Sequence, residues 1–168
     1  MKERKEKIEN LILHFSKAGM FYLGKKKLVK LMYFVDFTYF EIFNDSVTGL
    51  KYEKRQFGPM PEAKVFYSYL SNLKDKGLIE IGPSNKNQIP ENISAKSKPD
   101  YSVFSKEEVR VIKEITEKFR YHSAKEVEQI AKDEPPYKMV KAGEKIPYHL
   151  AFYRNSFDEI TLNDENTS

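Results

Sequence analysis

The segment Lys25–Phe43 has the sequence KKKLVKLMYFVDFTYFEIF and carries the strongest structural signal in the chain. One apolar stripe recurs along it at helical spacing, formed by Leu28, Leu31, Met32, Val35, Tyr39 and Ile42. A second face carries Tyr33, Phe37 and Phe40. Because a helix that is apolar on most sides is normally buried, the segment is predicted to be the central helix of its domain.

Shorter elements are predicted on both sides of this helix. An amphipathic helix containing Ile8 and Phe15 ends at Gly19, and later helices begin at Pro61, Ser105 and Ser123. The last two starts have capping-box spacing. Strands are predicted at 50–57, 78–81 and 101–104, the last two pairing as a hairpin across a loop at 82–100.

We therefore expect a mainly α (α+β) fold, a compact single domain of about six helices with a small β-hairpin or sheet between two helical halves. The domain is predicted to span 1–157, and the polar residues 158–168 to form a disordered tail. Gly58, Pro59 and Pro61 are predicted to form a rigid turn, with Pro61 at the first position of the next helix.

Composition restricts the classes of function. The chain has no Cys, which excludes disulfides and thiolate metal sites. Its net charge of +4 is mildly basic, and aromatic residues are abundant, with 12 Phe and 11 Tyr. No stretch approaches the roughly 18 apolar residues of a membrane span. We expect a cytoplasmic protein with no membrane partner.

No constellation of catalytic residues is visible. The three histidines, His14, His122 and His149, lack metal-ligand spacing, and no glycine-rich phosphate loop occurs. Asp36 and Glu41 lie within the central helix, where a carboxylate could act as a general acid or base. With no second catalytic group, a structural ion pair is the favoured interpretation of Asp36. We predict no enzyme, no cofactor and no metal.

DNA binding is an alternative. The predicted helix 61–76, strand 78–81 and strand 101–104 outline a helix followed by a wing. That helix offers Lys64, Lys74 and Lys76 as cations, which is few for a protein whose affinity depends on phosphate contacts. A winged-helix regulator is therefore the second hypothesis.

Several segments resemble one known family. They are KLVKLMYFVDF at 27–37, TGLKYEKRQFGPMP at 48–61, KDKGLI at 74–79, SAKE at 123–126, PPY at 135–137 and GEKIPY at 143–148. Their order and spacing resemble the Panacea domain, the SocA-like antitoxin family of bacteria, phages and other mobile elements. The resemblance covers about residues 8–153.

This resemblance implies a protein that neutralises a co-encoded toxin by direct binding. It also implies that some members act as adaptors, with a protease or chaperone as a further partner. Together with the aromatic surplus, it predicts a groove near the Gly58–Pro61 turn and the central helix. Exposed side chains are expected to bind the partner there; the candidates are Tyr22, Tyr52, Arg55, Tyr67 and Tyr137.

Overall fold

The computed structural model describes residues 1–83 and 90–154. The helices are α1 (Lys5–Lys17), α2 (Lys25–Phe43), α3 (Ala63–Asp75), α4 (Lys106–Phe119), α5 (Ala124–Asp133) and α6 (Pro135–Lys138). The strands are β1 (Tyr52–Arg55), β2 (Gly58–Pro61), β3 (Ile79–Gly82) and β4 (Asn92–Ala95), and short 3₁₀ helices span Tyr101–Val103 and Tyr148–Tyr153. The predicted fold class is confirmed: the fold is mainly helical, with two small antiparallel hairpins, β1–β2 and β3–β4.

Helix α2 is the centre of the core, as predicted. Every residue from 27 to 38 is buried, and α2 packs against α4, α5, β2 and the 3₁₀ helix at Tyr148–Tyr153. Its aromatic rings stack on neighbours, Phe34 on Phe119 at 4.5 Å and Phe37 on Tyr148 at 4.7 Å between centroids. Since burying one such side chain contributes about 2 kcal/mol, this helix supplies much of the stability of the fold.

The ends of the other helices follow from local sequence. Ser105 accepts a hydrogen bond from the Glu108 N–H, and the Glu108 carboxylate accepts one from the Ser105 N–H. Ser123 and Glu126 repeat this arrangement at the start of α5. Both predicted capping boxes are therefore confirmed, and each satisfies two N–H groups that a helix start leaves without partners.

The Gly58–Pro61 segment is a strand, so its prediction as a turn is wrong. It pairs antiparallel with β1, with Arg55 opposite Gly58 and Tyr52 opposite Pro61. The turn is the two-residue loop at 56–57, and α3 begins only at Ala63. Proline fits because β2 has β1 on one side only, and an edge strand tolerates a residue without an N–H.

The second hairpin also differs from the prediction. Strand β4 lies inside the predicted 82–100 loop and pairs with β3, where Ile93 faces Ile81. Residues 101–103 form a 3₁₀ helix instead of a strand, because the Asp100 carboxylate accepts a hydrogen bond from the Ser102 N–H. The predicted tail at 158–168 lies outside the described residues.

Gly58 has a backbone conformation that other residues rarely adopt. Its φ is +114°, and a Cβ at this position would lie 2.8 Å from Cε of Lys30. Lys30 belongs to α2 and is fully buried. Both the backbone angle and the close approach of this side chain therefore favour glycine.

We predict that Gly58→Ala lowers the free energy of unfolding by roughly 2–4 kcal/mol. The cost of a positive φ and the cost of the close contact with Lys30 both destabilise the folded variant. Gly77 is a matched control: its φ is +73°, but a Cβ there would meet no neighbouring side chain or backbone of the described residues within 4 Å. Gly77→Ala should cost only about 1 kcal/mol. Chemical denaturation of both variants gives the comparison, and equal losses would show that the contact with Lys30 is unimportant.

Candidate protein-binding groove

A groove of about 520 Å³ opens at the N-terminal end of α2. It is bounded by the turn before α2, the first residues of α2, one residue of α3, the segment that leads into β4, and the start of α5. We call it the α2 groove; it is lined by Phe21, Tyr22, Gly24, Lys25, Lys26, Lys27, Tyr67, Pro90, Glu91, Ser123, Ala124 and Lys125.

Three aromatic side chains of the α2 groove are exposed to solvent. Phe21, Tyr22 and Tyr67 have exposed fractions of 47%, 49% and 45%. The rings of Phe21 and Tyr22 contact each other edge to face, with centroids 4.7 Å apart. Clustered, exposed aromatic rings are typical of surfaces that bind another protein.

Tyr22 is held in a strained backbone conformation. Its φ is +38°, a value that costs a non-glycine residue about 1–2 kcal/mol. The neighbouring residues explain why the strain persists. Phe21 donates its N–H to the Arg120 carbonyl at 2.8 Å, and Leu23 donates to Oδ1 of Asn92 at 2.9 Å. The surrounding structure therefore fixes the backbone that carries the Tyr22 side chain.

Lys27 holds the same turn from inside the protein. Its side chain is buried, and Nζ donates hydrogen bonds to the carbonyls of Phe21 and His122. Burial lowers the pKa of Lys27 to about 8. This lysine connects the turn before α2 with the turn between α4 and α5, the two sides of the α2 groove.

The other lysines of the α2 groove lie near the surface. Lys25 pairs with Glu91 at 3.5 Å, and Lys26 lies over the ring of Phe57 at 4.0 Å from its centroid. Lys125 has no carboxylate partner among the described residues. The α2 groove thus combines aromatic rings with an excess of positive charge, because Glu91 is its only carboxylate among the described residues that line it.

The structure separates the five predicted partner-binding residues. Tyr22 and Tyr67 lie together in the α2 groove. Arg55 is exposed on β1 and pairs with Glu53 on its own strand. Tyr52 and Tyr137 were expected to be exposed, and this is wrong: their exposed fractions are 1% and 8%. Tyr137 donates to the Arg55 carbonyl at 2.6 Å, so its hydroxyl has a structural role.

The α2 groove lies at the N-terminal turn of the central helix. Gly58, Pro59 and Pro61 do not line it, although Lys26 of the groove lies over the ring of Phe57, the residue before Gly58. Sequence reasoning missed Phe21, Lys125 and Glu91 as groove residues. The run Phe21-Tyr22 directly before Gly24 and three lysines was an available signal, because two adjacent large aromatics cannot both enter one core in a short turn. Glu91 had no such signal, since β4 was predicted to be a loop.

Asp36 occupies the interior of the domain, away from the α2 groove. Its Oδ1 accepts hydrogen bonds from the N–H groups of Val47 and Thr48 at 2.9 and 2.8 Å. Its Oδ2 accepts from the hydroxyls of Thr48 and Tyr52 at 2.5 and 2.6 Å. The predicted ion pair is wrong, because these four donors occupy the carboxylate. Asp36 therefore fixes the 46–52 segment to α2.

A comparison with protein families identifies the chain. The model of the family described as antitoxin SocA-like, Panacea domain, matches residues 28–138. The chain belongs to the SocA-like antitoxin family. No curated protein and no solved structure matches the chain. The Panacea match begins at residue 28, within α2 and after its first turn, and contains Asp36, Thr48 and Tyr52.

A second buried network joins Arg154, which lies beyond the matched region, to residues within it. Glu134 accepts a hydrogen bond from Tyr33 at 2.9 Å and a bidentate pair from Arg154 at 2.9 and 3.1 Å. Arg154 also donates to Thr38 at 3.0 Å and lies 3.8 Å from Glu41. The chain through residue 154 is therefore part of the packed structure.

His14 is another titratable side chain of this Panacea protein that has structural partners. The ring nitrogens of His14 lie 2.7 Å from the Tyr101 hydroxyl and 2.8 Å from the Thr116 hydroxyl, and burial lowers the pKa of His14 to about 4. Among residues 1–83 and 90–154, no group of three metal-ligating side chains comes together. None of the helices in those ranges combines the length and apolar character that crossing a membrane requires.

We predict that Asp36→Ala lowers the free energy of unfolding by about 3–5 kcal/mol, because it leaves buried N–H and hydroxyl donors without an acceptor. Asp36→Asn should cost less, since one oxygen can still accept from Val47 and Thr48. Denaturant unfolding of the two variants at pH 7 provides the measurement. Similar small losses would contradict the structural role of this carboxylate.

The pH dependence of stability gives a separate prediction. Burial raises the pKa of Asp36 from 3.8 to about 6, so the folded state binds the proton more tightly than the unfolded state. The resulting stability is present below pH 3.8 and is lost as the pH rises through 6. Relative to Asp36→Asn, the wild type should lose about 2 kcal/mol between about pH 4 and 7. A relative gain over this range would contradict the prediction.

Proposed function

We propose that this chain is an antitoxin that neutralises a co-encoded toxin by binding it directly in the α2 groove. Membership of the SocA-like family supports an antitoxin role in general. The observation that carries the finer proposal is the cluster of Phe21, Tyr22 and Tyr67, three large rings exposed around one groove. Aromatic side chains tend to dominate the binding energy of protein interfaces.

The rigidity of the α2 groove supports the same conclusion. Hydrogen bonds of the Phe21 and Leu23 N–H groups hold the backbone on both sides of Tyr22 before any partner arrives. Lys27 connects the two sides of the groove through the carbonyls of Phe21 and His122. Binding to a preorganised surface avoids much of the entropy cost of ordering side chains and loops. A groove of this kind is suited to tight, stoichiometric sequestration.

Delivery of the bound toxin to a protease would require a second surface for that protease, and no feature of the described residues favours such a role over simple neutralisation. DNA binding has one favourable observation: α3 is followed directly by the β3–β4 hairpin, which gives a helix-and-wing outline. The exposed cations of α3 and its C-terminal end are Lys64, Lys74 and Lys76, with Glu62 and Asp75 beside them. This balance of charge favours a protein partner over a phosphate backbone.

Co-expression with the toxic product of the adjacent open reading frame tests the proposal. The wild type should restore growth, and the double variant Tyr22→Ala/Tyr67→Ala should not, because it removes two of the three exposed rings. Tyr153→Ala is the matched control; Tyr153 is 61% exposed on the 3₁₀ helix that packs against the other end of α2. It should restore growth as the wild type does.

Growth arrest that the wild-type chain cannot relieve would contradict the antitoxin proposal. Rescue by Tyr22→Ala/Tyr67→Ala at the wild-type level would leave the antitoxin role intact and would contradict the α2 groove as its site. A gel-shift titration with the promoter fragment at low and high salt tests the alternative. A shift that weakens with salt would favour the winged-helix regulator.

A further inference from the structure

The first turn of α2 has an unusual charge distribution for a helix start. It contains Lys25, Lys26 and Lys27 and no acidic residue, and Gly24 at the N-cap provides no side-chain hydrogen bond. The N-terminal end of a helix carries about half a positive charge, which favours acidic residues there and disfavours lysine. The three lysines at the α2 groove therefore go against the preference for acidic residues at a helix start. Conflicts of this kind between local preference and sequence are expected at functional sites.

A second helix contributes one more lysine to the lining of the α2 groove, although its first turn also contains Glu126, which does not line the groove. Helix α5 begins at the opposite side of the α2 groove, where Ala124 and Lys125 line it. The single carboxylate among the described lining residues, Glu91, is already occupied, because it accepts a hydrogen bond from the Lys25 N–H at 3.1 Å and pairs with the Lys25 ammonium at 3.5 Å. The ammonium groups of Lys26 and Lys125 have no carboxylate partner in the part of the chain that the structure describes.

The rings complete the chemistry of the α2 groove. Phe21, Tyr22 and Tyr67 offer apolar surface in the same groove as these two lysines, and the Tyr22 ring is exposed on a backbone with a strained, positive φ. A ligand that matched the groove would bring carboxylates to Lys26 and Lys125 and a large apolar side chain to the rings. A nucleic-acid duplex offers phosphate groups but no large apolar side chain for the rings.

We propose that the α2 groove binds an acidic segment of the toxin that carries at least one aromatic or large aliphatic side chain. This inference rests on the proposed function, since the toxin is the partner that supplies the segment. Binding of carboxylates relieves the mutual repulsion of the lysines and the helix end, so the charge adds to affinity and also selects against basic segments.

Affinity measurements with the purified toxin test the assignment. The charge-reversal variant Lys26→Glu/Lys125→Glu should bind about 100-fold more weakly than the wild type at low salt, and its affinity should depend less on salt. Lys17→Glu/Lys113→Glu is the matched control, since both lysines are exposed on other helices and the change in net charge is the same. This control should stay within about threefold of the wild type.

A second variant separates binding from folding. Tyr22→Gly removes both the ring and the strain of a positive φ. It should keep or raise the melting temperature and weaken toxin binding by about tenfold or more. Tyr22→Phe should bind as the wild type does. A Tyr22→Gly protein that binds the toxin normally would overturn the role assigned to the ring.

The outcomes distinguish this inference from the antitoxin role. A complex that forms equally well with Lys26→Glu/Lys125→Glu would overturn the acidic-segment inference and leave the antitoxin role standing. Failure of the wild type itself to form a complex would contradict the antitoxin role. A short single-stranded oligonucleotide that binds with the same sensitivity to the variants and competes with the toxin would overturn the assignment to a protein segment. A homodimer of this chain that dissociates in Lys26→Glu/Lys125→Glu and Tyr22→Gly but not in the control variant would also overturn it.

Discussion

The structure depends on the burial of polar and ionisable side chains along α2. Asp36 and Lys27 are fully buried on this helix, and each is satisfied by groups from other segments. A buried charge without partners costs several kcal/mol, so the segments that supply the partners must stay in place. Asp36 fixes the 46–52 segment, and Lys27 fixes the two turns beside the groove. The Arg154–Glu134 pair binds the C-terminal end of the described chain to Tyr33 and Thr38 of α2. One helix thereby organises the whole domain.

The α2 groove is a consequence of this organisation. Lys27 is part of the interior and also fixes the carbonyl of Phe21, so the rigidity of the core extends to the exposed aromatic pair. Strain at Tyr22 is tolerated because its neighbours are hydrogen-bonded on both sides. The family relationship gives the antitoxin role in general, and this preorganised, cationic and aromatic surface supports the proposal of direct toxin binding.

Most of the helices could be predicted from the sequence. Helix α2 was predictable because its apolar residues surround the axis, and α4 and α5 because each begins with a complete capping box. The strands were harder to predict because their signals are not local. Pro59 and Pro61 suggest a turn, and only the edge position of β2 explains why they lie in a strand. Strand β4 has one buried residue, Ile93, and no alternation pattern is evident in four residues.

The candidate site was predictable only in part. Tyr22 and Tyr67 were correctly proposed to be exposed, but Tyr52 has the same side chain and is buried on Asp36. The sequence does not distinguish these tyrosines, because the difference arises from partners distant in the chain. Asp36 was expected to form an ion pair. Its carboxylate instead accepts hydrogen bonds from Val47 and Thr48, which lie 11 and 12 residues later in the chain. Long-range polar contacts are therefore the part of the structure that the sequence alone did not reveal.

Hydrogen–deuterium exchange of the free chain and of its complex with the toxin tests the central claim most directly. A rigid α2 core that presents a preformed groove predicts slow exchange for the α2 interior and for 47–50 in both states. Added protection should be confined to 21–27, 67, 91 and 123–125. Fast exchange of the α2 interior in the free chain, or toxin-induced protection that spreads through 47–50 while the groove stays unprotected, would contradict the account.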